Sequence, residues 1–337
     1  MTKKLAKKLR PAFLLIGAVL LVVLVRKIGI QPIIDNITSL GWRLAPIFSI
    51  SFLWYALYTL AWLQFLSRLG NGIGFWDLFR IKTAGEAVNT LTPANFLGGD
   101  PLRIHLLKKN FQTTEGAASV VVDRTLHSVA TLLVILIGII ISFVTFKRLP
   151  ANIKFGVPIA MVIAVAFMAF ILIHQHRGFF SLLMTICQRL GIKRKFSERT
   201  IERFEELDSH IIDFYKANKR GFLTALSCHL AGRLIGIIEI YAIGRCVSHQ
   251  FTLLAALMLC ALSPIINAVF TFVPGALGVM EGAYSGVLYL LHLDPAIGIT
   301  IQISKRIRSA LWIILGLVFL GTHNRKEAWK EELIEEV

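Results

Sequence analysis

Residues 44–67 run for 24 positions without a charged side chain. A helix of about 20 apolar residues spans the hydrocarbon core of a bilayer, and the feature recurs along the chain. Residues 125–146 and 155–173 are uncharged over 22 and 19 positions. A fourth run, 221–244, is apolar but carries His229, Arg233 and Glu239. Two more segments are interrupted: 251–280 is uncharged but broken by Pro264 and Pro274, and 297–321 is split by Lys305, Arg306 and Arg308. With 55% hydrophobic and only 17% charged residues, the chain is neither an ordinary soluble globule nor a disordered one. Lys and Arg exceed Asp and Glu by 36 to 20. That surplus suits basic loops on one side of a membrane, whereas nucleic-acid binding leaves the apolar mass unexplained.

The basic residues also orient the chain. Residues 1–10 hold five Lys or Arg and no acid, and 175–220 hold ten Lys or Arg, which places both on the cytoplasmic side. The apolar stretch 11–27 ends in Arg26 and Lys27 rather than in small cleavage-site residues, so it reads as a retained first helix and not as a signal peptide. Within 175–220, Ile201, Phe204, Leu207, Ile211, Ile212 and Tyr215 recur at helical spacing among charges. The pattern predicts an amphipathic helix lying on the cytoplasmic face; a solvated charged helix is the rival reading.

Two segments are too polar to span and too apolar to be loops. Residues 78–91 predict a helix that stops at Thr92-Pro93-Ala94-Asn95-Phe96-Leu97-Gly98-Gly99-Asp100. Asp100 and Pro101 then suit the N-cap and first turn of a second short helix. A comparable break, Pro274 to Glu281, comes 181 residues later and has the same length as Pro93 to Asp100. Non-helical backbone survives at membrane depth only where protein or a wet cavity shields it. Both segments are therefore read as re-entrant hairpins.

The same offset carries 44–67 onto 225–248, Glu86 onto Asn267 and Arg124 onto Lys305. The order of span, broken hairpin and charge-bearing span repeats as well. The expected organisation is one membrane domain over 1–337, with an N-terminal helix at 11–27 and repeat 1 at 44–146. A connecting helix at 154–174 and the cytoplasmic amphipathic loop at 175–220 lead to repeat 2 at 221–322. Counting crossings from a cytoplasmic start makes the repeats inverted. The predicted fold is an all-α polytopic membrane protein with about six spanning helices and two opposed re-entrant hairpins. In folds of this kind the substrate site lies near the midplane, where the broken helices meet.

Charge at membrane depth is costly and should face a cavity or a partner. Arg103, Arg124, Arg233, Lys305 and Arg306 are the candidates for a head-group path, since a guanidinium fork suits phosphate. Each also admits a structural reading as an interfacial or internal ion pair. The candidate re-entrant tips are Pro93, Asn95, Gly98, Gly99, Asp100, Pro274, Gly275, Gly278 and Glu281. The glycines there suit turns with positive φ or bare N–H groups toward an anion. Glu86, Asp123 and His127 are candidates for ion coupling. No catalytic constellation, metal-ligand spacing or nucleotide loop is present, so no metal and no cofactor are expected. Cys187, Cys228, Cys246 and Cys260 read as small hydrophobes.

The segment Asn95-Phe96-Leu97-Gly98-Gly99-Asp100-Pro101-Leu102-Arg103, the triplet Val122-Asp123-Arg124 and the stretch Val273-Pro274-Gly275-Ala276-Leu277-Gly278-Val279-Met280-Glu281 together resemble the flippase-like membrane region of lysylphosphatidylglycerol synthases. The likeness covers roughly 10–320 and departs at Ala276, where a second glycine is usual. It implies movement of a lipid between leaflets, which in the full-length relatives is an aminoacylated phosphatidylglycerol. The soluble transferase domain of those relatives has no counterpart after Gly321, so a non-enzymatic role is expected. The expectation is an inner-membrane, multi-pass translocase of an anionic or modified phospholipid, or of a polyprenyl-type lipid, with both termini cytoplasmic. Membrane lipids are its expected partners, nucleic acid is not, and a homo-oligomeric state is left open. Two alternatives remain: an ion-coupled transporter of a small solute, and an accessory subunit of a lipid-modifying enzyme.

Overall fold

The computed structural model describes residues 41–70, 72–92, 98–145, 151–189, 197–270 and 278–335, with Gln31 and Thr38. The helix expected at 11–27 lies outside the described residues, as do Pro93, Asn95, Pro274 and Gly275. Among the described residues there is no strand, and eleven α-helices follow one another. They are α1 (Leu44–Leu66), α2 (Phe75–Leu91), α3 (Gly99–Leu107), α4 (Thr113–Thr145), α5 (Ala151–Gln175) and α6 (Phe179–Arg189). After these come α7 (Glu198–Ala217), α8 (Lys219–Val247), α9 (Leu253–Val269), α10 (Val279–Leu290) and α11 (Ala296–Glu335). The protein is an all-α, polytopic membrane protein.

Four helical stretches are long and apolar enough to cross a bilayer: Ala45–Leu69, Thr113–Thr145, Pro158–Gln175 and Lys219–Val247. They correspond to four of the six expected crossings. The sixth, at 297–321, forms one continuous helix with its flanks, but Lys305, Arg306 and Arg308 lower its hydropathy. Those cations are turned inward, as described below. The outer face of α5 shows the opposite preference, leaving Ile159, Val162, Ile163 and Phe167 exposed, as a lipid-facing helix does.

The packing of the helices repeats. Helices α1 and α8 lie against each other over the most extensive contact in the molecule. Helix α2 packs on α1, α3 and α11, while α9 packs on α8, α10 and α4. Likewise α4 meets α3 and α1, and α11 meets α10 and α8. One apolar core gathers Trp62, Leu66, Leu78, Leu107 and Leu126. A second gathers Ile243, Phe251, Leu259, Tyr284 and Leu288.

The joint between α2 and α3 depends on missing side chains. A Cβ on Gly99 would lie 1.9 Å from the Gly85 carbonyl oxygen, and one on Gly85 would lie 2.4 Å from Arg103 Cγ. The Asn89 side chain, at the end of α2, accepts from the Gly99 N–H at 2.8 Å. Helix α3 therefore starts at Gly99, its N-cap is Gly98, and Gly98 contributes no side-chain cap. Asp100 is not the N-cap expected for it, because Asn89 already serves that end and leaves the Asp100 carboxylate for other partners. Gly98 has φ −105°, so neither it nor Gly99 supplies the expected positive φ. Gly278 does, at φ +80°, and its N–H donates to Glu281 at 2.9 Å.

Helix α7 is amphipathic, but its apolar stripe is occupied by protein. Leu207, Ile211, Phe214 and Tyr215 are buried in the first core. The buried Asp208 accepts from the N–H groups of Phe180 and Ser181 at 3.0 and 2.8 Å, capping α6. The stripe expected to rest on the bilayer thus rests on α4 and α6.

Candidate functional site

A cavity of about 380 Å³ opens where α1, α2, α3, α4, α8, α9 and α11 converge. Each helix turns a single polar face toward it, at helical spacing. Helix α1 supplies Trp54, Tyr55 and Tyr58, and α2 supplies Lys82 and Glu86. Arg103 enters from α3, and Asp123, Arg124 and His127 come from α4. The facing wall holds Arg233 and Glu239 of α8, Ser263 and Asn267 of α9, and Lys305 and Arg308 of α11. Gly232 and Gly236 leave α8 bare between these charges; a Cβ on Gly232 would lie 2.3 Å from Tyr58 Cε1.

Six cations and three carboxylates share this lining, and ion pairs join most of them. Lys82 Nζ donates to both Asp123 oxygens at 2.9 and 2.8 Å, and to the Tyr58 carbonyl at 2.8 Å. His229 Nε2 lies 3.3 Å from the same carboxylate. Arg124 meets Asp100 at 2.7 Å and Glu86 at 3.3 Å. Arg103 meets Glu86 at 2.6 Å and Asp100 at 3.3 Å. Two arginines and two carboxylates therefore form a cluster that ties α2, α3 and α4 together. Across the cavity Arg308 pairs with Glu239 at 2.5 Å, and the Trp54 indole donates to that carboxylate at 3.0 Å.

Of the five residues expected on the head-group path, Arg103, Arg124, Arg233 and Lys305 line the cavity. Arg306 does not; it is turned to Glu281, 2.6 Å away, at the start of α10. Arg308, one turn from Lys305, takes the place expected of Arg306. The three coupling candidates Glu86, Asp123 and His127 all line the cavity. Asp100 sits at its edge through Arg124, whereas Glu281 and Arg306 pair with each other outside the lining. His229 and Arg233 do not pair within α8: His229 faces Asp123, and Arg233 donates to His127 at 2.7 Å and to Thr131.

Lys82, Glu239 and the aromatic wall of Trp54, Tyr55 and Tyr58 were not expected there. The 181-residue offset carried the signal for most of them. It maps Tyr55 onto Gly236, Tyr58 onto Glu239, Lys82 onto Ser263, Glu86 onto Asn267, Arg124 onto Lys305 and His127 onto Arg308, and all of these line the cavity. Among the described residues no group of His, Cys, Asp and Glu converges to hold a metal ion. What the arrangement offers is a polar space with surplus positive charge, walled by apolar helices.

Comparison with known sequences returns the family described as the lysylphosphatidylglycerol synthase TM region, matched over residues 12–317. A UPF0104 membrane protein of Methanothermobacter thermautotrophicus is 24% identical over 79% of this chain and 80% of its own length. Another, from Pyrococcus horikoshii, is 21% identical over 80% of this chain and 83% of its own. No solved structure is a significant match.

Proposed function

The chain belongs to the lysylphosphatidylglycerol synthase TM-region family, and from that premise we propose that it translocates an anionic or modified phospholipid, or a polyprenyl-type lipid, between the leaflets of the inner membrane. The observation that carries this reading is the cavity itself, with six cationic side chains held among helices whose outer faces are apolar. A phosphate-bearing head group would travel through it beside Arg103, Arg124, Arg233, Lys305 and Arg308 while the acyl chains stay in the bilayer. The repeated packing of α1–α4 and α8–α11 supports an inverted duplication, with α3 and α10 as the short halves of opposed hairpins. Both termini are then cytoplasmic.

The test is reconstitution of the purified chain into vesicles carrying fluorescent phospholipids, with an impermeant quencher reporting outer-leaflet exposure. Acceleration over protein-free vesicles, lost in Arg124→Ala, is expected. If no candidate lipid moves faster than in empty vesicles, the reading fails. The buried Lys82–Asp123–His229 group favours a second reading, ion-coupled transport of a small solute. Uptake driven by a pH gradient, with no lipid movement, would replace the first reading by the second.

A further inference from the structure

The charges around the cavity do not balance, and the imbalance has an address. Lys82 is matched by Asp123, Arg103 and Arg124 share Glu86 and Asp100, and Arg308 is matched by Glu239. Among the described residues, six cations against these four carboxylates leave a surplus of two, and Arg233 and Lys305 account for it. Both line the cavity, and among the described residues neither has a carboxylate within ion-pairing distance. Arg233 donates to His127 and Thr131 instead, and its Nε is buried without a partner. Lys305 donates to the Tyr284 hydroxyl at 2.8 Å and lies over that ring. A guanidinium can only donate, so His127 Nε2 accepts and that ring is neutral. The breaks at 93–97 and 271–277 contain no Lys, Arg, Asp or Glu and cannot alter the sum.

Arg233 and Lys305 are half-buried in the cavity wall, where charge without a counter-charge is costly, and a cavity that keeps two cations without carboxylates is suited to a ligand that brings the missing charge. We infer that the cavity selects a head group carrying about two negative charges, a phosphate monoester or a diphosphate, with Arg233 and Lys305 as its phosphate-binding pair. A phosphate monoester carries about −1.5 to −2 at neutral pH. A phosphodiester carries a single charge, an ethanolamine head group nets to zero, and a lysyl ester of phosphatidylglycerol is net positive. The surplus therefore discriminates against zwitterionic and aminoacylated phospholipids. Ser263, which hydrogen-bonds the same Tyr284 hydroxyl at 2.6 Å, and Asn267 add neutral polar groups to this wall. The lipid source of the ligand rests on the translocation reading; its charge does not.

Binding is measured on the full-length chain in phosphatidylcholine nanodiscs doped with phosphatidic acid, phosphatidylglycerol, phosphatidylethanolamine or lysylphosphatidylglycerol. The readout is the dose-dependent rise in melting temperature, with inorganic phosphate as a soluble arm. Phosphatidic acid should bind roughly tenfold more tightly than phosphatidylglycerol, and Arg233→Gln and Lys305→Gln should each remove about that factor. Lys305→Arg keeps the charge and should keep the preference, so the measurement stands even where Arg233→Gln fails to fold. Equal binding of phosphatidic acid and phosphatidylglycerol, tightest binding of the lysyl lipid, or insensitivity to Lys305→Gln overturns the inference. Inorganic phosphate binding as tightly as phosphatidic acid, with the same dependence on Lys305, upholds the dianion and removes the lipid translocation reading. Accelerated flipping of phosphatidylglycerol with no dianion preference does the reverse.

Discussion

The two ion pairs of α4 sit at neighbouring residues but answer to different physics. The side chains of Lys82 and Asp123 are 8% and 4% exposed, whereas those of Arg124 and Asp100 are 29% and 14% exposed. Removing one partner of a deeply buried pair strands the other charge and costs about 3–5 kcal/mol. Lys82→Met should therefore lower the melting temperature in detergent sharply, and the double variant Lys82→Met/Asp123→Leu should recover most of the loss. Failure of that recovery would mean the pair is not a closed unit and that His229, 3.3 Å from the same carboxylate, depends on Asp123 as much as Lys82 does. Arg124→Gln is expected to behave differently. Its partners Asp100 and Glu86 keep Arg103 and some access to water, so stability should fall by less than half as much while lipid movement is abolished. The contrast separates a group that holds the wall from one that acts on the proposed head-group path.

At the scale of elements, the hairpin of α2 and α3 gives a paired expectation on glycines. Gly99→Ala drives a methyl against the Gly85 carbonyl, a backbone atom that cannot swing away, and overpacking of this kind costs about 1–3 kcal/mol. Gly282 lies inside α10, and a Cβ there meets nothing within 4 Å, so Gly282→Ala should stabilise by up to about 1 kcal/mol through helix propensity. Thermal melts of both variants in one detergent decide it, and a destabilised Gly282→Ala would mean that this face of α10 is covered. Which helices exist was legible, because uncharged runs and Pro/Gly breaks are local properties of the chain. What their faces touch was less so. An amphipathic stripe such as that of Leu207 and Ile211 looks the same whether it rests on lipid or on α4, and only the fold settles which. Within α11, Lys305 and Arg306 read as the candidates, but angular position around the helix sends Arg306 to Glu281 and puts Lys305 into the cavity together with Arg308. The offset linking His127 to Arg308 and Lys82 to Ser263 was present in the sequence, yet pairs of unlike residues do not announce themselves as equivalent.

For the whole molecule, the question is whether α3 and α10 enter from opposite sides. The turn after α3 carries Lys108 and Lys109, both exposed, and the turn after α10 carries the exposed His292 and Asp294. Basic residues are retained on the cytoplasmic side and acidic ones are nearly neutral in this respect. The first turn should therefore be cytoplasmic and the second external, as an inverted duplication requires. Helix α11, which follows the second turn, then has to return the chain through the bilayer despite its three cations. It can do so because each cation is directed to an interior partner or to the cavity rather than to lipid. Replacing Cys187, Cys228, Cys246 and Cys260 and introducing Lys109→Cys or Asp294→Cys singly gives two reporters for a membrane-impermeant maleimide. In intact cells Asp294→Cys should react and Lys109→Cys should not, with the pattern reversed in inside-out vesicles. Labelling of both from one side would place the two short helices in parallel. The cavity would then lack a counterpart wall facing the second leaflet, and a path joining the two leaflets could not pass through it.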